Sequence, residues 1–202
     1  MIAIIDYGRG NLHSVAKAFA KVGAEAIVTS DAAVIDSADK VVLPGVGAFG
    51  DCMENLARYG LVDVIHHVIN RGTPFLGICL GLQLLFDGSE EDPGVHGLGI
   101  IPGMVKKIVA PGLKIPHMGW NSLAWGTASL LFGGLPANPY VYFVHSYHAV
   151  PHDQSVITAT TPYGEIVTAA VSRGNVHAVQ FHPEKSSAVG MQVLANFKEM
   201  RP

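Results

Sequence analysis

The chain has few cysteines, few charges and no long apolar run, and each shortage excludes a class of protein. Cys52 and Cys79 are the only cysteines among 202 residues, too few for the disulfide framework of a small secreted domain. Charged residues make up 14% of the chain and the net charge is -3, so no basic surface for nucleic acid is expected. No stretch reaches the roughly 18 consecutive apolar residues of a membrane span. The start, "MIAIIDYG", lacks the features of a signal peptide, so we expect a cytoplasmic chain without membrane or nucleic-acid partners.

Apolar sequence is abundant and is arranged in short segments. Hydrophobic residues make up 49% of the chain, and no repeat or linker divides it, so residues 1–202 are expected to form a single domain. In the first half, strand-like runs such as "IAIID" and "KVVLP" alternate with amphipathic stretches such as "LHSVAKAFAKVG". This pattern predicts an α/β fold, a mostly parallel twisted sheet with helices on both faces. The β-rich runs "YVYFVHSY", "VITATT", "IVTAAVS" and "VHAVQFH" predict antiparallel additions in the C-terminal half.

The segment "PFLGICLGLQLLF" places Cys79 two residues from Gly77 and two from Gly81. A strand, then Gly-x-Cys-x-Gly, then an apolar-faced helix is the layout of the nucleophile elbow of G-x-S-x-G hydrolases, with cysteine in place of serine. The strained turn requires small neighbours so that strand and helix can approach, and the start of a helix favours the reactive thiolate. The alternative is a small buried thiol, which is the interpretation favoured for Cys52 in "FGDCMENL".

A nucleophilic cysteine needs a base and a group that orients the base. "VQFHPEKS" offers His182 and Glu184, which lie two residues apart in an extended segment and therefore face the same way. Pro183 places this pair where the strand leaves the sheet. A surface His–Glu pair is the alternative, but with Cys79 at the end of another strand the set fits a Cys-His-Glu triad.

A glycine-rich turn in "VVLPGVGAFG" follows a buried strand and can aim backbone N–H groups at a developing negative charge, as in an oxyanion hole. Such turns also bind phosphate or only reverse the chain, although no Walker A pattern is present. Neither paired cysteines nor an H-E-x-x-H motif accompanies the histidines, so no metal site is expected. The histidines considered as ligands are His66, His67, His145, His148 and His152.

Three segments in this order, "PGVGAFG", "GICLGLQLLF" and "QFHPEKS", resemble the class I, triad-type glutamine amidotransferases. The stretches "DYGRGN", "PHMGWN" and "FVHSYH" narrow the likeness to the glutaminase subunits of imidazole glycerol phosphate synthases. The resemblance spans nearly the whole chain, although residues 122–138 match no motif. The departures are mild: Leu82 stands where methionine is common, and His148 and Ala178 occupy variable positions.

The resemblance implies a role for each matching position. Cys79 is implied as the nucleophile, His182 as the general base and acid, and Glu184 as the group that orients His182. The implied oxyanion hole uses backbone N–H groups, and the implied glutamine pocket includes Glu91 for the α-ammonium group and backbone contacts from the "HSY" segment. These further positions are Val46, Gly47 and Leu80 for the oxyanion hole and Gln83, Glu91, Ser146 and Tyr147 for the substrate.

The implied chemistry is attack of the Cys79 thiolate on the side-chain amide of glutamine, with a γ-glutamyl thioester as intermediate and no cofactor. The chain has room only for the amidotransferase domain, so we expect the ammonia to pass to a second polypeptide. In the resembling family this partner is a (β/α)8-barrel cyclase, which pairs with the glutaminase as a heterodimer. Together they make imidazole glycerol phosphate and aminoimidazole carboxamide ribonucleotide in histidine biosynthesis. Interface candidates at the expected active-site mouth are Trp120, Asn121 and Tyr142, for which core packing is the alternative.

Two other functions stay open on the sequence alone. Another triad enzyme, such as the glutaminase subunit of pyridoxal phosphate synthase or a γ-glutamyl hydrolase, could use the same elbow, although "DYGRGN", "PGVGAFG" and "PHMGWN" argue against it. A catalytically silent binding module is the second, and an intact triad argues against that. The glycines that flank Val46 allow this peptide to rotate, and the resemblance implies that the partner and its ligand favour the form that completes the oxyanion hole.

Overall fold

A central mixed sheet flanked by helices organises residues 1–201, the part of the chain that the computed structural model describes. The α-helices are α1 (Leu12–Lys21), α2 (Ala32–Ser37), α3 (Phe49–Arg58), α4 (Val62–Asn70), α5 (Leu80–Gln83) and α6 (Ser187–Glu199). The strands are β1 (Ile2–Ile5), β2 (Ala26–Thr29), β3 (Lys40–Gly45), β4 (Phe75–Cys79), β5 (Gly88–Ser89), β6 (Gly103–Lys107), β7 (His117–Ser122), β8 (Ala124–Trp125), β9 (Tyr140–His145), β10 (Tyr147–Pro151), β11 (Ile157–Tyr163), β12 (Glu165–Arg173) and β13 (Val176–Val179). Within residues 1–201, every helix falls short of the length and apolar character needed to cross a lipid bilayer.

The large sheet has the strand order β2-β1-β3-β4-β13-β12-β11-β8. The first five of these strands run parallel, whereas β12, β11 and β8 are added antiparallel. The α/β class predicted from the sequence, with antiparallel additions in the C-terminal half, is therefore confirmed. Two smaller sheets, β10-β6-β5 and the ribbon β7-β9, complete the fold.

The central strands bury both faces, so their side chains alternate between two cores. Ile2 and Ile4 of β1 lie in the core that contains Phe19 of α1 and Phe197 of α6, whose ring centroids are 6.2 Å apart. Ile5 of the same strand lies in the other core, with residues of α3 and α4. Burial on both sides explains why the parallel strands are continuous apolar runs in the sequence.

Two local predictions differ from the structure. "YVYFVHSY" is not one strand, because it divides into β9 and β10, which belong to different small sheets. The helix predicted over "LGLQLLF" ends after the single turn of α5. The helix stops because the carbonyls of Leu84 and Leu85 accept N–H groups from the returning loop, at Leu98, Ile100 and Ile101.

Close backbone contact at the end of β4 explains the glycines around Cys79. A Cβ atom at Gly81 would lie 1.9 Å from the carbonyl oxygen of Leu43 in β3. A Cβ atom at Gly77 would lie 2.7 Å from the carbonyl oxygen of Gly81. Strand β3, strand β4 and helix α5 therefore meet at a distance that only glycine permits.

We expect Gly81→Ala to lower the free energy of unfolding by about 3 kcal/mol, the upper end of overpacking costs, because backbone must move to relieve the contact. Gly133→Ala is the matched control, since its Cβ atom would lie an ordinary 3.5 Å from the nearest atom, Leu130 O. Urea unfolding of both variants measures the difference. Equal stability of the two would show that the approach of α5 to β3 is not tight.

Candidate active site

Cys79 lies at a sharp, strained turn between β4 and α5. Its backbone has φ 56° and ψ -112°, a left-handed conformation that residues other than glycine adopt at a cost of about 1–3 kcal/mol. The side chain is buried at the end of the strand, and its Sγ lies 3.9 Å from the carbonyl oxygen of Val144 in β9. The turn has the form expected of a nucleophile elbow, and the strain serves to present the sulfur.

His182 and Glu184 follow the neighbouring strand β13 and form a buried pair. His182 Nδ1 lies 2.9 Å from Glu184 Oε1, and the two side chains are 4% and 2% exposed. Backbone contacts from β9 hold the turn: the N–H of His182 donates to Tyr142 O over 3.0 Å. The hydroxyl of Ser186 donates to the carbonyl oxygen of His182 over 2.6 Å. The hydrogen bond to Glu184 Oε1 therefore fixes the orientation of the His182 ring on a turn that these backbone contacts hold in place.

The charges around His182 favour its protonated form. Burial lowers the pKa of His182, but the interaction with nearby Cys79 and the hydrogen bond and charge of Glu184 outweigh it and raise the pKa to about 10. Nδ1 is engaged by Glu184, whereas the buried Nε2 has no hydrogen-bond partner among residues 1–201. Nε2 is therefore the ring atom available for proton exchange at the sulfur.

Cys79 and His182 line a cavity of about 290 Å³. Glu184 is behind His182 and does not line it. The cavity brings together all of the positions predicted for the oxyanion hole and the substrate, which are Val46, Gly47, Leu80, Gln83, Glu91, Ser146 and Tyr147. Residues of β4, β9 and β10, and of the turn that follows β3, thus converge on one concave site.

The glycine-rich turn after β3 is held by two buried side chains. Tyr7 Oη donates to Pro44 O over 2.9 Å, and Cys52 Sγ donates to Val46 O over 3.5 Å. Burial raises the pKa of Cys52 to about 11, so this thiol stays protonated and able to donate. Gly47 has φ 104°, in the region that favours glycine. Sequence reasoning took Cys52 as a packing residue and missed its contact with the turn.

Glu91 serves two purposes in the structure. Its Oε2 accepts the N–H of Phe49 over 3.0 Å, and Asp92 accepts the N–H of Gly50 over 2.7 Å. The two carboxylates thereby cap α3, whose own N-cap residue, Ala48, has no side-chain acceptor. The side chain of Glu91 also lines the cavity, and burial raises its pKa.

Gln180, a buried glutamine whose role was not predicted, connects Gln83 in the cavity wall to the sulfur of Cys79. Gln83 Nε2 donates to Tyr147 O and to Gln180 Oε1, each over 3.0 Å. Gln180 Nε2 in turn lies 3.7 Å from Cys79 Sγ. Both amide hydrogens of Gln83 are therefore used within the protein, which leaves only its Oε1 for a substrate. The one signal in the sequence was an amide in the apolar run "VHAVQF".

The interface candidates separate into two groups. Trp120, 51% exposed, faces Tyr142 across the β7-β9 ribbon, with ring centroids 6.2 Å apart. Asn121 is bonded within the protein, because its Nδ2 lies 3.3 Å from His117 Nε2 and donates to Pro162 O over 2.8 Å. The outward face of the ribbon therefore presents Trp120 and Tyr142 but not the Asn121 amide.

Two buried histidines lie beside the cavity as neutral rings. His117 Nδ1 is 2.9 Å from His145 Nε2, and His145 Nδ1 is 2.8 Å from Tyr147 O. Burial lowers the pKa of His117 to about 4 and that of His145 to about 3. Within residues 1–201, no group of three or more His, Cys, Asp or Glu side chains is arranged to hold a metal ion.

These depressed pKa values predict acid-sensitive stability. The unfolded chain takes up protons near pH 6.5 while both folded rings stay neutral, so stability falls as pH drops from about 6.5 to about 4, by up to about 1.4 kcal/mol per pH unit for each ring. Urea unfolding near pH 7, 6 and 5 measures this slope. His145→Phe is expected to reduce the slope by the share of one histidine, and an unchanged slope would contradict the assignment.

Comparison with known proteins identifies a matching family and close relatives of this chain. The family "Glutamine amidotransferase class-I" matches residues 3–200. The "Imidazole glycerol phosphate synthase subunit HisH" of Syntrophotalea carbinolica is 55% identical over 99% of this chain and 100% of its own length. The protein of the same name from Methanothermobacter thermautotrophicus is also 55% identical, over 99% of this chain and 98% of its own.

A solved structure shows the same fold at much lower identity. A crystal structure of a "glutamine amidotransferase" has a TM-score of 0.75 and 18% identity, and it covers 96% of this chain and 99% of its own. The match of the family over residues 3–200 is far more than half of the chain. The chain therefore belongs to the class I glutamine amidotransferase family, in the group of the imidazole glycerol phosphate synthase subunit HisH.

Proposed function

We propose that residues 1–202 act as one glutaminase domain, the subunit of imidazole glycerol phosphate synthase that releases ammonia from glutamine for histidine biosynthesis. The observation that carries the proposal is the strained Cys79 turn beside a buried His182–Glu184 pair at the edge of a single cavity. Full-length identity to HisH subunits favours this synthase over the other triad enzymes. Two free cysteines, one of them reactive, suit a reducing cytoplasm.

The geometry supports two chemical steps. In the first, Cys79 Sγ attacks the side-chain carbonyl carbon of glutamine, and the tetrahedral oxyanion is met by backbone N–H groups at Val46, Gly47 and Leu80. His182 then protonates the departing nitrogen, ammonia leaves, and a γ-glutamyl thioester remains on Cys79. In the second step, His182 takes a proton from water, which attacks the thioester and releases glutamate. The balance is glutamine plus water giving glutamate plus ammonia.

An apolar face beside the cavity suits a partner. Met118 and Trp120 of β7 and Tyr140 of β9 are 61%, 51% and 59% exposed, and their register places them with Tyr142 and Val144 on the outward face of the ribbon. Val144 also lines the cavity, so the face continues to its rim. We assign to this face the cyclase subunit, a (β/α)8 barrel that forms a heterodimer with this chain and receives the ammonia.

The turn at Val46 offers a way for the partner to control the reaction. Val46 is 40% exposed and lies between Gly45 and Gly47, so its peptide can rotate at low cost. In our proposal the partner and its nucleotide ligand favour the form that completes the oxyanion hole. Glutamine is then hydrolysed chiefly when the acceptor is ready.

We expect Cys79→Ala to reduce glutamine hydrolysis by the chain, with the cyclase partner and its nucleotide ligand present, to the background rate, because no thioester can form. His67→Asn, an exposed substitution on α4, is expected to retain the wild-type rate and serves as the control. Glutamate release is the measurement. Hydrolysis by Cys79→Ala at the wild-type rate would refute the proposed mechanism.

The chain has two tryptophans, and they provide a matched test of the partner surface. Trp120→Ala is expected to weaken binding of the cyclase subunit by at least about tenfold, since aromatic anchors contribute more than about 1.4 kcal/mol. Trp125→Ala, in β8 at the edge of the eight-stranded sheet and not on the ribbon, is expected to leave the affinity unchanged. Isothermal titration of each variant with the partner compares them. An equal loss of affinity in both variants, or no loss in either, would place the interface elsewhere.

A further inference from the structure

We propose that Gln180 is a further catalytic residue, which donates a hydrogen bond to the sulfur of Cys79; this inference rests on the proposed glutaminase function. Its side chain is fully buried, and Nε2 lies 3.7 Å from Cys79 Sγ. An N–H donor stabilises a thiolate more than a thiol, because charged acceptors form the stronger hydrogen bonds. Gln180 thereby favours the nucleophilic form of Cys79 and fixes its direction toward the cavity.

One carbonyl group determines which end of the Gln180 amide faces the sulfur. Tyr147 O can only accept, so the Gln83 atom 3.0 Å from it is the donor Nε2. The same nitrogen lies 3.0 Å from Gln180 and donates to its Oε1. The atom of Gln180 that remains for Cys79 is therefore Nε2, a donor. The neighbouring donor and acceptor groups thereby fix the orientation of the Gln180 amide.

The same carbonyl is held from its other side by the buried histidine pair. His145 Nδ1 donates to Tyr147 O over 2.8 Å, which makes Nε2 of this neutral ring an acceptor. His117 Nδ1, 2.9 Å away, is then the donor to it, and Asn121 Nδ2 lies 3.3 Å from His117 Nε2. Each group in this series of hydrogen bonds is consistently a donor or an acceptor. His117 and His145 are therefore positioning residues that act on Gln180 through Tyr147 and Gln83.

Packing alone does not account for these polar groups. A buried glutamine costs free energy unless its amide is bonded, and an apolar side chain would fill the same space without that requirement. Both ends of the Gln180 amide find partners in the wall of the cavity, one of them the reacting sulfur. The series of hydrogen bonds begins at Asn121, the residue after Trp120, whose amide lies on the other face of the β7-β9 ribbon.

The test is the pH dependence of Cys79 alkylation by iodoacetamide in the full chain, followed by mass spectrometry of the Cys79 peptide. Gln180→Leu, or Gln180→Met if the first does not fold, is expected to raise the midpoint pH of alkylation by about one unit, the effect of one hydrogen bond to a charged group. Gln192→Leu, an exposed substitution on α6, is the matched control and is expected to leave the midpoint unchanged. Equal midpoints in the folded Gln180 variant and the wild type would overturn the proposal.

His117→Phe tests whether the hydrogen bonds that lead from His117 to Gln180 position the Gln180 amide. The His117 ring stacks on Phe143 and Tyr163, with centroids 4.7 and 4.0 Å away, so phenylalanine keeps the stacking and removes only the hydrogen bonds. We expect a smaller upward shift of the alkylation midpoint than in Gln180→Leu, together with a lower melting temperature, because the buried His145 Nε2 loses its donor. A wild-type midpoint in folded His117→Phe would refute the role of the histidine pair.

Alkylation requires no glutamine, so the two proposals can fail separately. The wild-type chain could hydrolyse no glutamine, even with its partner, while the Gln180 variant still shifts the alkylation midpoint. This result would support the contact with sulfur and refute the proposed function. Normal hydrolysis with unshifted midpoints would refute the role of Gln180 and leave the proposed function in place.

Discussion

The parallel pairing of β3, β4 and β13 is the constraint on which the site depends. Parallel neighbours all end at the same edge of a sheet, so the residues that follow them are brought together although they are far apart in the chain. Cys79 ends β4, the glycine turn ends β3, and His182 follows β13. The register pairs Gly45 directly with Cys79. The parallel register thus brings the separate segments of the triad to one edge of the sheet.

Much of this arrangement could be predicted from the sequence, because it rests on local signals. Alternating apolar runs predicted the parallel sheet, and the Gly-x-Cys-x-Gly spacing predicted the strained turn that the backbone of Cys79 shows. His182 and Glu184 lie two residues apart, so their pairing also followed from short-range geometry. These predictions succeed where one segment determines its own conformation.

Other features depend on contacts between distant segments, which periodicity does not show. The division of "YVYFVHSY" into β9 and β10 reflects pairing with β7 and β6, and the early end of α5 reflects the loop that returns to Leu84 and Leu85. Glu91 was predicted as a substrate contact, but its cap on α3 depends on a loop that lies 42 residues away. No role was predicted for Gln180, because its partners, Gln83 of α5 and Cys79 of β4, lie 97 and 101 residues away in the sequence.

Helix α3 has a consequence for the width of the cavity. Its first residue, Phe49, is bonded to Glu91, and Cys52, three residues later in the same helix, is bonded to Val46. Glu91 and Val46 both line the cavity, so a single helical turn contacts two parts of its lining. Because this turn moves as one unit, a shift of α3 moves the oxyanion turn and the Glu91 carboxylate together and preserves the distance between them.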